Sequence, residues 1–251
     1  MELTATKASL SEILQLRNLF LQENNFQVRY NAVHEREWSD SYLLILDDLK
    51  IGYGSTMGGQ DRNNRDTIFE FFIVPSFRKL ASSAFQILLN SARPDRIECQ
   101  SNDSMLTSLL YEFAGNINSD TILFKEGGTT NLAANGTIFR KRQESDVPFE
   151  HKAEPLGDYV LELNDEIVAT GGFLLHYNKP FADLYMEVRE DRRRKGFGSY
   201  LIQEIKRECY IAGRVPAART GMDNLASRAT LLKAGLEIAG YMLMGDIKDK
   251  R

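Results

Sequence analysis

The sequence predicts an α/β (α+β) protein made of two similar halves, each a central twisted mixed sheet flanked by helices. Three observations carry this. The order strand, hairpin, strong strand, helix, strand, helix, strand is read twice along the chain, and alternating elements after a hairpin make a mixed sheet in each half. Apolar residues fall into runs of strand length and stripes of helical spacing. The composition, 43% hydrophobic and 26% charged over 251 residues with Gly 18 and Pro 6, is that of a soluble globular chain long enough for one large domain or two modest ones.

The first half opens with a strand at 2–7. Ser9 followed by Glu12 forms a capping box, and Leu10, Ile13, Leu16 and Phe20 then make an apolar helical stripe. Residues 42–45 and 51–55 read as a hairpin turning at Asp47 and Asp48. The run 66–74 (DTIFEFFIV) is apolar enough to be buried on both faces, and Pro75 ends it. A helix at 82–92, a strand at 96–100, a helix at 104–113 and a strand at 121–125 follow. The glycine and polar stretch GGTTNLAANG, ending at Gly136, reads as a linker. It divides domain 1–128 from domain 137–251, with 129–136 between them. The second half repeats the order: strand 137–141, hairpin strands 159–163 and 166–175, strand 181–188, helix 199–210, strand 217–219, helix 224–233 and strand 236–244. Where the first half has a long helical region, the second has only 142–157, with Pro148 and Pro155 opposing a helix.

Charge and composition exclude several function classes. A net charge of −4 opposes a surface built as an electrostatic trap for nucleic acid. No stretch approaches the roughly 18 uncharged apolar residues of a membrane span, and MELTATKASLSEILQ lacks the basic start and apolar run of a signal peptide. A cytoplasmic protein without membrane or nucleic-acid partners is expected. Cys99 and Cys209, with His34, His151 and His176, offer no disulfide framework and no zinc pattern, so no metal is expected. Both cysteines, and Trp38, read as core; His176 reads as a surface turn residue.

The most informative segment is Met186-Glu-Val-Arg-Glu-Asp-Arg-Arg-Arg-Lys-Gly-Phe-Gly-Ser-Tyr200. It is a strand, a basic turn with two glycines, and a helix whose apolar face is Leu201, Ile202, Ile205 and Cys209, with Gln203, Glu204, Lys206 and Arg207 opposite. First-turn amides have no intrahelical acceptor and carry the positive end of the macrodipole, so small residues there can wrap a phosphate. Without the glycines, the basic run would read as a solvated turn. Neither a third glycine with a downstream acidic residue nor Gly-Lys-Ser/Thr is present, which opposes Rossmann and P-loop sites.

Arg193-x-x-Gly196-x-Gly198 after a strand ending in Val188 resembles the pyrophosphate loop of the GNAT superfamily of acyl-CoA-dependent acetyltransferases. Asn224-Leu-Ala-Ser227 through Lys233-Ala-Gly235 resembles the later helix of that family, where Asn224 and Ser227 would face the pantetheine arm. Asn224 also reads as a plain N-cap, and Gly235 as a helix stop. The resemblance implies acetyl-CoA as acyl donor, a primary amine of a small molecule or peptide as acceptor, and cofactor contacts from Met186, Val188, Arg193, Arg194, Lys195, Gly196, Phe197, Gly198, Ser199, Asn224 and Ser227. In the first half Ala81 and Ser83 replace the two glycines after Arg78, which marks a degenerate copy.

Attack of an amine on a thioester needs the amine deprotonated, directly or through water, and is helped by protonation of the leaving thiolate. The family draws the acid from a tyrosine where this sequence has Leu231, and the base from the fourth strand. There Asp183, Tyr185 and Glu187 alternate with Leu184, Met186 and Val188. The usual glutamate of the family falls nearer the apolar register, and a bulge of the kind common there would shift the alternation. Glu187 and Asp183 are the candidates; charged residues facing solvent or the space between the halves is the competing reading. A non-catalytic CoA or ligand sensor, and a module gripping an anionic partner, are the alternative functions.

Overall fold

The structure is a computed structural model and describes residues 2–24, 26, 31–152 and 155–248. The chain forms two compact units. One takes the described residues before Thr121 together with those from Tyr241 to Lys248; the other lies within Thr121–Gly240.

In the first unit, β1 (Leu3–Ala8) leads into α1 (Leu10–Glu23). The capping box is present: the Glu12 carboxylate accepts from the Ser9 amide at 2.8 Å and from the Ser9 hydroxyl at 2.7 Å. Ile13, Leu16 and Phe20 bury the inner stripe of α1 against Tyr53 and Phe72. A short α2 (Asn31–Glu35) precedes β2 (Ser39–Leu46) and β3 (Leu49–Met57). Asp47 and Asp48 both have positive φ, 43° and 72°, the twist that a two-residue hairpin turn demands. All seven residues of β4 (Thr67–Ile73) are buried. A 3-10 turn at Pro75–Leu80 runs directly into α3 (Ala81–Ala92), followed by β5 (Arg96–Gln100) and α4 (Ser104–Phe113). The strands are ordered β1-β2-β3-β4-β5, with only β4 and β5 parallel. Trp38 is half-buried rather than core: the guanidinium groups of Arg36 and Arg62 lie 5.0 and 4.2 Å from its ring centroid, an amphipathic placement suited to cation–π contact.

The second unit contains β7 (Thr137–Lys141), β8 (Tyr159–Leu163), β9 (Glu166–Leu174), β10 (Phe181–Val188), α5 (Phe197–Ile211), β11 (Val215–Gly221) and α6 (Leu225–Lys233). Its core is Val160, Leu161, Val168, Ala169, Leu184, Leu201, Ile202, Ile205 and Cys209. Both cysteines are buried thiols outside any disulfide, and burial pushes the Cys209 thiol up to about 12.

Two strands divide between the units. β6 (Ala114–Glu126) is longer than the sequence suggests, and its 121–125 portion pairs with β11. The last strand, β12 (Leu236–Ile247), pairs its 242–246 portion with β5. The linear division at 129–136 therefore does not coincide with the structural one. Nor is that stretch a free tether. The Gln203 side chain accepts from Thr130 Oγ1 (2.8 Å) and the Leu132 amide (2.6 Å), and Lys206 Nζ donates to Gly128 O (2.6 Å). Lys206 also donates to Ala234 O at 2.9 Å, a cation at the C-terminal end of α6. Gln203 and Lys206, on the helix face that reads as solvated, are 3% and 2% exposed because they satisfy backbone groups.

Candidate active site

β10 is the centre of the second unit. It pairs antiparallel with β9 from Asp183 to Val188 in unbroken register, so no bulge shifts the alternation, and Asp183, Tyr185 and Glu187 share one face. Its other neighbour, the parallel β11, accompanies it only over Phe181–Asp183. Beyond Asp183 that edge has lost its partner strand. The Arg189 amide donates to Val168 O of β9 at 3.0 Å. By the two-residue alternation of strand hydrogen bonding, the peptide groups of Met186 and Val188 therefore point away from β9, into the opening left by β11.

The turn after β10 is built to end in unused amides. Arg189 and Arg192 bracket Glu166 (2.9 and 3.0 Å) and Asp191 (2.8 and 3.4 Å), which fixes the start of the turn. Arg193 Nε donates to Val188 O at 3.1 Å. Arg194 and Gly196 then take positive φ, 62° and 85°, a conformation whose cost glycine avoids. Gly196 caps α5 without a side-chain hydrogen bond. Among the described residues no backbone acceptor meets the amides of Phe197, Gly198 or Ser199, and no ion pair forms to Arg194 or Lys195. At Gly198 a Cβ would sit 3.2 Å from Thr230 Cγ2 and 3.3 Å from Val188 Cγ2. A Cβ there would be tight, and the Thr230 and Val188 methyl groups would have to give by a few tenths of an ångström.

A cavity of about 750 Å³ follows this edge. It is lined by Met186, Glu187, Val188, Glu190, Arg192, Arg193, Arg194, Gly196, Phe197, Gly198, Ser199, Asn224, Ala226, Ser227, Ala229, Thr230 and Lys233. The structure thus brings together the expected donor-site residues with the exception of Lys195, which is exposed beside them. Asn224 is also a true N-cap, accepting from the Ser227 amide at 3.0 Å. Thr230 is not among the expected contacts, and Lys233 is expected only as part of the helix end, although Asn224, Ser227, Thr230 and Lys233 recur every three residues, the spacing of one helix face. Leu231 is 3% exposed and turned into the core.

The two candidate bases part company. Glu187 lines the cavity and accepts from the Lys152 amide at 3.2 and 3.1 Å. Asp183 lies outside the lining. It is 8% exposed, with His176 Nε2 at 3.3 Å and Arg219 Nε at 3.9 Å. His176 is thereby part of a polar cluster rather than a free surface turn. Between them, burial and then Asp158 push the Tyr185 phenol up to about 12, so it stays protonated at neutral pH.

Strands splay here beside a helix whose first amides are unused. Residues 130–236 match the acetyltransferase (GNAT) family and residues 9–127 match an acetyltransferase (GNAT) domain. The chain belongs to the GNAT acetyltransferase family and carries two such domains in tandem. Among solved structures, an acetyltransferase of the GNAT family from Colwellia psychrerythraea aligns over 99% of this chain and 100% of its own, with TM-score 0.73 and 12% identity. A GCN5-related N-acetyltransferase from Sphaerobacter thermophilus aligns over 99% and 97%, with TM-score 0.60 and 14% identity. A tandem GNAT protein from the clavulanic acid biosynthesis pathway covers both chains fully, with TM-score 0.59 and 10% identity. Identities this low speak for the fold alone. No curated protein matches the sequence. Among the described residues no cluster of His, Cys, Asp and Glu could hold a metal ion, and no helix is long and apolar enough to cross a membrane.

Proposed function

We propose that the second unit transfers an acetyl group from acetyl-CoA to a primary amine of a small molecule or peptide, by direct attack in a ternary complex. The observation that carries this reading is the unpaired edge of β10 leading straight to the unused amides at Phe197–Ser199. Acetyl-CoA supplies the activated acyl carbonyl as a thioester. The Met186 and Val188 peptides hold the pantetheine arm and polarise that carbonyl. The amides of Phe197, Gly198 and Ser199, with Arg193, Arg194 and Lys195, take the pyrophosphate. Asn224, Ser227 and Thr230 line the other side. Glu187 takes one proton of the acceptor ammonium; the freed amine nitrogen bonds to the carbonyl carbon, the carbon–sulfur bond breaks, nitrogen gives its second proton to solvent and the departing thiolate takes a proton from solvent. The first unit is a degenerate copy that binds no CoA, and the protein works in the cytoplasm without nucleic-acid or membrane partners.

Titration calorimetry with CoA, alongside thiol release from acetyl-CoA over a broad amine panel, tests this. One CoA per chain and amine-dependent thiol release are expected. Binding without thiol release from any amine would favour a CoA sensor, the reading to which the buried Leu231 lends weight.

A further inference from the structure

Residues 149–152, between β7 and β8, lie against the face of β10 that carries Glu187, and their contacts are specific. The His151 and Phe149 rings stack with centroids 4.3 Å apart and planes 14° apart. His151 Nδ1 lies 2.7 Å from Phe149 O. A carbonyl only accepts, so Nδ1 carries the proton, an assignment made from its partner. His151 Nε2 faces Thr170 Oγ1 at 2.6 Å, and Thr170 is the residue of β9 directly opposite Glu187. Cross-strand partners share a face, so the anchor and the carboxylate stand side by side. The next residue, Lys152, gives its amide to both Glu187 oxygens and its ammonium to Glu190 at 3.1 Å.

We propose that residues 149–152 form a strap, pinned to Thr170 by His151, whose Lys152 amide aims the Glu187 carboxylate at the acceptor amine; His151, Thr170 and Lys152 are positioning residues for the transfer. The inference rests on Glu187 being the proton acceptor. It accounts for an otherwise costly arrangement in which a loop without helix or strand commits one nitrogen of a histidine to its own backbone and the other to the sheet. Errors of about 1 Å in such a group cost up to roughly 100-fold in rate, so loosening the strap acts on turnover rather than on cofactor binding.

The test pairs a structural readout with a kinetic one. In His151→Ala and Thr170→Val, hydrogen exchange of the Lys152 amide should accelerate about tenfold or more. kcat should fall about tenfold, with the CoA Kd within about twofold of wild type. Thr170→Ser, which keeps the hydroxyl, should restore both. Lys152→Pro, which removes the N–H itself, should lower kcat to the same degree, while Val147→Ala, 89% exposed on the same segment, should change nothing. Unaltered exchange in His151→Ala would overturn the strap. Faster exchange with unaltered kcat, or a loss confined to KM, would overturn its positioning role. Wild-type turnover in Glu187→Gln would instead remove the base on which the inference rests, and a wild-type protein that acetylates no amine would remove the reaction; both are distinguishable from failure of the strap because exchange is read without turnover.

Discussion

After its central strand each unit turns into a helix, and the two turns differ in what they do with their amides. In the first, Pro75 starts a 3-10 turn that runs without interruption into α3; Leu80 (φ −96°) and Ala81 (φ −55°) are right-handed, and the Ala81 amide donates to Arg78 O. The amide that opens α3 is consumed by the turn before it. In the second, the 3-10 turn is three residues long, the chain extends at Arg193, and positive φ at Arg194 and Gly196 delivers α5 with its first amides unused. The carboxylates of the two central strands differ in the same sense. Glu70 of β4 is wholly buried, gripped by Arg17 (3.0 Å to each oxygen), His34 (3.1 Å) and Tyr53 (2.9 Å). Glu187 of β10 is half-buried and held by a backbone amide. A helix dipole is present in both units; availability of donors and of a carboxylate separates them.

The largest expected effect breaks the comparison on the side of the second unit. Gly198→Glu drives a carboxylate between Thr230 and Val188 and into the anion site, and should abolish CoA binding in calorimetry, whereas Ala81→Glu should leave it intact. Two CoA per wild-type chain would contradict the difference drawn here. Next comes Glu187→Gln, expected to lower turnover roughly 10²–10⁴-fold with near-normal CoA affinity. Asp183→Asn should have a far smaller effect on rate, because its carboxylate is engaged by His176 away from the cavity lining.

How much of this could be read in advance depends on whether the signal is local. The capping box at Ser9 and Glu12, the β-branched and aromatic run of β4, the hairpin turns and the glycines at 196 and 198 are set by nearest neighbours along the chain, and they stand where the sequence places them. The partners of β6 and β12 are not so set. Strand pairing is non-local, and nothing within 121–125 says that it will lie beside β11. Gln203 and Lys206 look like solvated helix residues until the backbone they satisfy is folded onto them. α2, five residues long, has no periodicity to reveal it; His34 is held there by Glu70. The strap at 149–152 is equally silent, because a histidine and a threonine nineteen residues apart carry no motif.

Glu70 supplies the next prediction. Burial by itself would raise its carboxyl, and the Arg17 guanidinium, with His34 behind it, overrides that and holds it well below its ordinary value. Glu70→Gln leaves Arg17 buried without its counter-charge and should destabilise the first unit by roughly 3–5 kcal/mol in urea titration, while one CoA still binds per chain. Because the folded value is depressed, the stabilisation is present above the ordinary carboxylate range and is lost as pH falls toward the folded value. The gap between wild type and variant should therefore narrow in acid; a gap independent of pH would mean the pair contributes packing rather than charge.

The smallest effect, and the sharpest on the comparison, is expected from restoring the missing glycines. If the first unit lost CoA binding only because side chains at Ala81 and Ser83 obstruct a phosphate, then Ala81→Gly/Ser83→Gly should regain a second site. The structure argues otherwise. Removing two β-carbons does not free an amide that already donates to Arg78 O, and it does not convert the right-handed turn at Leu80 and Ala81 into one with a positive φ. The double variant should lose roughly 0.5–1 kcal/mol per glycine from α3 and still bind a single CoA by calorimetry. A second equivalent bound at comparable affinity would show that glycine content alone divides the two units, and that the 3-10 turn is a consequence of the substitutions rather than the barrier.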